Sequence, residues 1–227
     1  MNARERVLTA FAHREPDRVP VFETIINAPV AAELLGRETW VGMGGMARGV
    51  VYNDMARAGR AEDFFRQRIA DQVELYTSLE LDMMPALPYP TNPTPMEQIG
   101  EYTWREERYP GIWFVHKYDP AFDMFGEVDS LIRHERIPAF ERMVEAMEAG
   151  QPSLEGLSFF EYEYARAHAP ALCLMTHADV AIPSEASWLD VYLECMVARP
   201  DLIHRYLDAR LAQTRLELEH MLALGIG

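Results

Sequence analysis

The chain has 227 residues, of which 49% are hydrophobic and 25% charged, and 36 acidic against 21 basic residues give a formal net charge of −15. That apolar content excludes a disordered chain, and the acidic balance argues against nucleic acid or an anionic membrane as partner, because both would repel it. Two cysteines, Cys173 and Cys195, stand far apart without a CxxC or Cys/His cluster, so the chain itself spells neither a disulfide framework nor a metal set.

The opening residues carry charge straight into an amphipathic pattern and lack the apolar stretch of a signal peptide. No apolar run reaches the length needed to span a bilayer, so the expected location is cytoplasmic. Val7, Leu8 and Phe11 recur at helical spacing, Glu15-Pro16-Asp17 breaks the helix, and an extended first strand is expected over residues 19–26. Residues 36–59, rich in glycine, read as loop with room for one short helix; they match neither GxGxxG nor a Walker loop. Phe64, Ile69, Val73, Tyr76 and Leu79 mark a second helix leading into a strand at residues 81–85, and the five prolines from Pro85 to Pro95 forbid helix.

Further along, Tyr109-Pro110-Gly111 between two alternating runs predicts a hairpin. Phe140, Met143, Val144 and Met147 form a helical stripe that Gly150 should cap. The apolar run 171–176 predicts a buried strand. Trp188 to Met196 predicts a helix, and Pro200 opens another, with Leu202, Ile203, Tyr206, Leu207 and Leu211 on one side. Strands alternating with helices imply a parallel sheet in an α/β fold, organised as a single domain over 1–227. Leu224-Gly225-Ile226-Gly227 reads as a helix cap entering a further strand, so the expected architecture is unfinished, with an exposed parallel edge that a homo-oligomer or a completing chain would cover.

Arg4-Glu5-Arg6-Val7-Leu8-Thr9-Ala10-Phe11, followed by Glu15-Pro16-Asp17-Arg18-Val19-Pro20-Val21, resembles the opening of the uroporphyrinogen decarboxylase superfamily. Leu79-Glu80-Leu81-Asp82, Ile182-Pro183-Ser184-Glu185 and Pro200-Asp201-Leu202-Ile203 resemble later segments of that family in the same order. The resemblance implies a (β/α)8 TIM barrel of which this chain supplies the N-terminal strands and helices, with a pocket at the C-terminal ends of the strands. It further implies either porphyrinogen decarboxylation or methyl transfer involving a corrinoid protein. The family's methyltransferases hold zinc through a His, Cys and Cys set in later strands, which this chain does not contain. The decarboxylases carry an arginine, Gln-Ala-Gly and a second arginine soon after the first strand, whereas Phe22-Glu23-Thr24-Ile25-Ile26-Asn27 supplies no arginine.

The candidate catalytic residues are Asp82, His177 and Glu23. Asp82, a lone acid in an apolar strand, is either in the site or an acceptor for loop N–H groups. Glu23 shares a strand face with Val19, Val21 and Ile25, and either enters the barrel interior or makes a salt bridge at its floor. His177 follows the strand ending at Thr176, as a proton carrier at the pocket rim or a buried hydrogen-bonded imidazole. Asn27 near the end of the first strand, Glu185 at a helix start, and His116 and Tyr118 on the hairpin are candidates for substrate binding; a helix cap is the rival role for Glu185, and cross-strand packing for the hairpin pair. Cys173 reads as a core cysteine. The preferred expectation is methyl transfer between a small methylated compound and a corrinoid protein or thiol, with zinc held by residues outside this chain. Decarboxylation of a porphyrinogen-like acid, and an inactive barrel fragment serving as a binding subunit, are the alternatives.

Overall fold

The computed structural model describes all residues except 43, 44, 92–94, 177–179, 181, 226 and 227, and not the side chains of residues 47 and 48. In chain order the elements are α1 (Ala3–Phe11), α2 (Ala28–Leu35), a π-helical turn (Met46–Val51) running into α3 (Tyr52–Arg57), α4 (Ala61–Ser78), β1 (Met83–Pro85) and β2 (Tyr89–Pro90). Then come β3 (Glu97–Gly100), β4 (Thr103–Tyr109), β5 (Ile112–Asp119), β6 (Met124–Ser130), α5 (Leu131–Glu135) and α6 (Ile137–Ala149). The chain continues through β7 (Leu157–Ser158), α7 (Phe160–His168), β8 (Cys173–Met175), α8 (Leu189–Ala198) and α9 (Pro200–Ala223). The chain divides into two compact units, Met1–Thr94 with Gly156–His177 and Gly225–Gly227, and Pro95–Glu155 with Ala178–Leu224. Among the described residues no helix is long and apolar enough to cross a membrane.

The first unit is built on parallel strands. β1 pairs with β8 in parallel register, Met83 opposite Cys173 and Pro85 opposite Met175, and Phe22 forms a parallel bridge to Met83 on the other side. The expected first strand over 19–26 is thus reduced to one bridge, because Pro20 has no N–H to give a ladder and Val19, Val21 and Ile25 lie exposed rather than sandwiched. Short strands at 81–85 and 171–176 do form where the apolar runs predicted them. α4 and α7 cover one face, where Met84, Ile69, Leu75, Tyr76 and Ala165 are buried together. Helix α1 starts from a capping box in which the Asn2 side chain accepts the Glu5 N–H and Glu5 accepts the Asn2 N–H. Helix α2, in a stretch assigned no helix from sequence, carries Pro29 in its first turn and ends at Gly36 in the left-handed conformation. Gly42, at φ +89°, passes so close to the first segment that a Cβ there would lie 1.8 Å from the Ile26 carbonyl oxygen.

The second unit is an antiparallel sheet, ordered β3-β4-β5-β6, covered by helices. The hairpin expected around Tyr109-Pro110-Gly111 is β4–β5, with Gly111 at φ +71°. Ile112 and Phe114 of β5 pack with Ile132, Phe140, Tyr192 and Tyr206 in its core. α6 ends at Gly150 as expected, but Gly150 is extended (φ −75°, ψ 126°) rather than left-handed, leading directly into Gln151-Pro152. None of the sheets closes into a barrel, so the architecture is mixed α/β with small sheets. The α/β class expected from sequence is present, while a TIM barrel is not shown: among the described residues the parallel segments number three and the largest sheet is antiparallel.

Candidate functional site

Parallel strands have two chemically different edges, and the first unit places buried charge at both. At the amino edge Asp82 immediately precedes β1 and is fully buried. Its Oδ1 accepts from Arg6 Nη1 at 2.5 Å and Arg18 Nη2 at 3.1 Å; its Oδ2 accepts from Arg18 Nη1 at 2.6 Å and the Val21 N–H at 2.7 Å. Arg6 also donates to both oxygens of Asp17, at 2.6 and 2.9 Å. The Arg6 guanidinium holds the Asp17 carboxyl well below the usual carboxylate range. Both Asp82 oxygens are fully engaged, and the amino edge of parallel strands is where barrels keep stability rather than chemistry. Of the two roles open to Asp82 from sequence, the structure gives the acceptor, binding two arginines as well as a loop N–H.

At the carboxyl edge the expected residues are dispersed. Glu23 and Asn27 follow Phe22 and are exposed. Glu23 Oε1 approaches the Ile25 N–H at 3.5 Å, and its carbonyl accepts from Tyr76 Oη at 2.8 Å. Burial, with the Glu23 charge nearby, pushes the Tyr76 phenol up to about 12. Asn27 stands at the N-cap position of α2, its side chain making no capping bond. His177 lies outside the described residues. Glu185, His116 and Tyr118 belong to the other unit. Glu185 is exposed in a turn four positions before α8, too early to cap that helix. His116 Nε2 pairs with Glu106 Oε1 at 2.8 Å and its ring stacks on Phe125, while Tyr118 is buried and donates to Asp123 at 3.1 Å. Both hairpin residues therefore take the cross-strand packing role.

What the carboxyl edge does hold was not singled out from sequence. Glu161, in the first turn of α7, is 1% exposed and accepts from Arg68 Nη2 of α4 and, at 3.3 Å, from the N–H of Leu87, two residues beyond β1. Gln72, one turn along α4 from Arg68, donates to the Pro85 carbonyl at 2.7 Å. The first unit buries two other carboxylates among its described residues, Asp82 and Asp71, and comparison with them isolates Glu161. Asp71 accepts from Thr39, Arg37 and Gln67 at 2.7, 2.8 and 2.9 Å. Glu161 has two donors, and burial pushes its carboxyl above the usual range despite the Arg68 cation and the Leu87 N–H. Arg68 Nε and Thr176 Oγ1, the latter just past β8, are shielded from solvent and have no hydrogen-bond partner. Such orphaned polar groups are rare in folded proteins and call for a cause.

An unbroken set of aromatic contacts flanks this pair. Trp40 stacks on Phe64 at 5.4 Å, Tyr52 lies 5.4 Å from both Phe64 and Phe65, and Phe65 stacks on Tyr89 at 3.9 Å. The Arg68 guanidinium carbon is 5.8 Å from the centre of the Phe65 ring. The sequence signal for the pair was the inward stripe of α4 itself: Phe64, Arg68 and Gln72 recur every four residues, so two polar groups interrupt a buried face. A buried acid whose pKa burial raises, paired with a guanidinium, stands here at the edge where parallel α/β folds bind ligands. Comparisons with family models, with curated proteins and with solved structures find no match to this chain.

Proposed function

We propose that the chain is the N-terminal part of an enzyme of the uroporphyrinogen decarboxylase superfamily, on its methyl-transfer side, moving a methyl group between a small methylated substrate and a corrinoid protein or thiol acceptor. In this reading Phe22, β1 and β8 are neighbouring staves of an incomplete TIM barrel, and the substrate site lies at their carboxyl edge. One observation carries it. The residues that bear the resemblance converge: Arg6, Asp17, Arg18 and Asp82, separated by up to 76 positions, form one ion-pair cluster that ties α1 and the first extended segment to β1. A family opening retained for its fold would converge in this way; an accidental string match has no reason to. Methyl transfer is preferred to porphyrinogen decarboxylation because a substrate bearing many carboxylates needs several fixed cations. At the carboxyl edge Arg68 is already neutralised by Glu161.

The described residues do not fit the zinc that the methyl-transfer branch implies. Among them no three His, Cys, Asp or Glu side chains converge, and burial pushes both the Cys173 and Cys195 thiols up, away from the thiolate a soft metal takes. No step is routed through zinc on this chain. Incubating the protein with methylcobalamin and a small thiol, and following loss of the methyl–cobalt absorbance together with the methylated thiol, tests the reading. Loss of methylcobalamin above the protein-free rate is expected of a full-length protein that carries this chain together with the zinc-holding residues. Release of carbon dioxide from a porphyrinogen without corrinoid demethylation would overturn it.

A further inference from the structure

No further inference is drawn: the strongest candidate, the apolar surface of the first unit on which Val19, Val21, Phe22 and Ile25 lie exposed along the first extended segment and Val30 and Leu34 lie exposed on α2, is an unpartnered face, and nothing in the structure shows what covers it.

Discussion

The two edges of the parallel segments treat a buried acid in opposite ways. At the amino edge Asp82 is surrounded by donors from Arg6, Arg18 and Val21, and Arg6 is shared with Asp17. At the carboxyl edge Glu161 has one guanidinium and one N–H, and its burial is not fully compensated. A buried charge supplied with every hydrogen bond it can accept fixes a fold, while one left short of donors retains a proton-binding role at some expense in stability. The difference predicts that the edges respond differently to the loss of their acid.

The largest effect should come from Asp82→Ala. It takes one acceptor from the Arg6 guanidinium, whose side chain is 10% exposed and which keeps Asp17, takes the carboxylate from Arg18, and removes the bond to Val21 that holds the first segment beside β1. Removing one partner of a buried pair costs about 3–5 kcal/mol, and the lower end applies because Asp17 still faces Arg6 and Arg18 reaches solvent; even that is a large part of the stability of a domain this size. Denaturant unfolding of the purified variant reads it directly. A loss under about 1 kcal/mol would mean the cluster is a surface ornament, and the contrast between the edges would vanish.

Much of this architecture was legible in the sequence where the local signal was regular. Helical stripes gave α1, α4, α6, α8 and α9, and the Tyr109-Pro110-Gly111 turn gave β4–β5. Asp82 was conspicuous as an acid in an apolar run, but its role was not readable, since that depends on Arg6 and Arg18, more than 60 positions away. The carboxyl edge was less legible for the same reason. Residues following strands were favoured because strands end there, yet Glu23, Asn27 and Glu185 turned out exposed, and the uncompensated acid came from a helix, α7, that no clear periodicity announced. The barrel expectation came from the resemblance of short segments, while from the residues themselves only the hairpin within 97–130 was legible and not the two further antiparallel strands that flank it.

The second prediction concerns the sign of the pH dependence. Asp17 is held below the usual carboxylate range by Arg6, so the stability it contributes is present above that range and is lost as pH falls through its depressed pKa. Glu161 is raised by burial, so its contribution is present below the ordinary carboxylate pKa of about 4.3 and is lost as pH rises through the raised value. Glu161→Gln removes that titration while keeping the shape. Relative to the variant, the wild-type protein should lose stability as pH is raised from about 4 to 8, by less than Asp82→Ala costs. If the wild type instead gains on the variant as pH rises, the Arg68 pair outweighs burial and Glu161 belongs with Asp82 among the structural acids.

The smallest effect is expected at His116, and it separates burial from lack of compensation. Glu106 on β4 resembles Glu161 in that burial pushes its carboxyl up, but the His116 hydrogen bond and the Arg108 charge outweigh burial and hold it below the usual range. Glu106 also pairs directly with Arg108, so removing the imidazole leaves a cation in place. His116→Gln keeps a donor near Glu106 and loses the stacking on Phe125, a cross-strand contact worth about 0.2–1 kcal/mol. Unfolding midpoints should therefore shift only slightly. A loss comparable to that of Asp82→Ala would show that Glu106 depends on the imidazole alone, and that a carboxylate beside a histidine and an arginine can be as poorly compensated as Glu161.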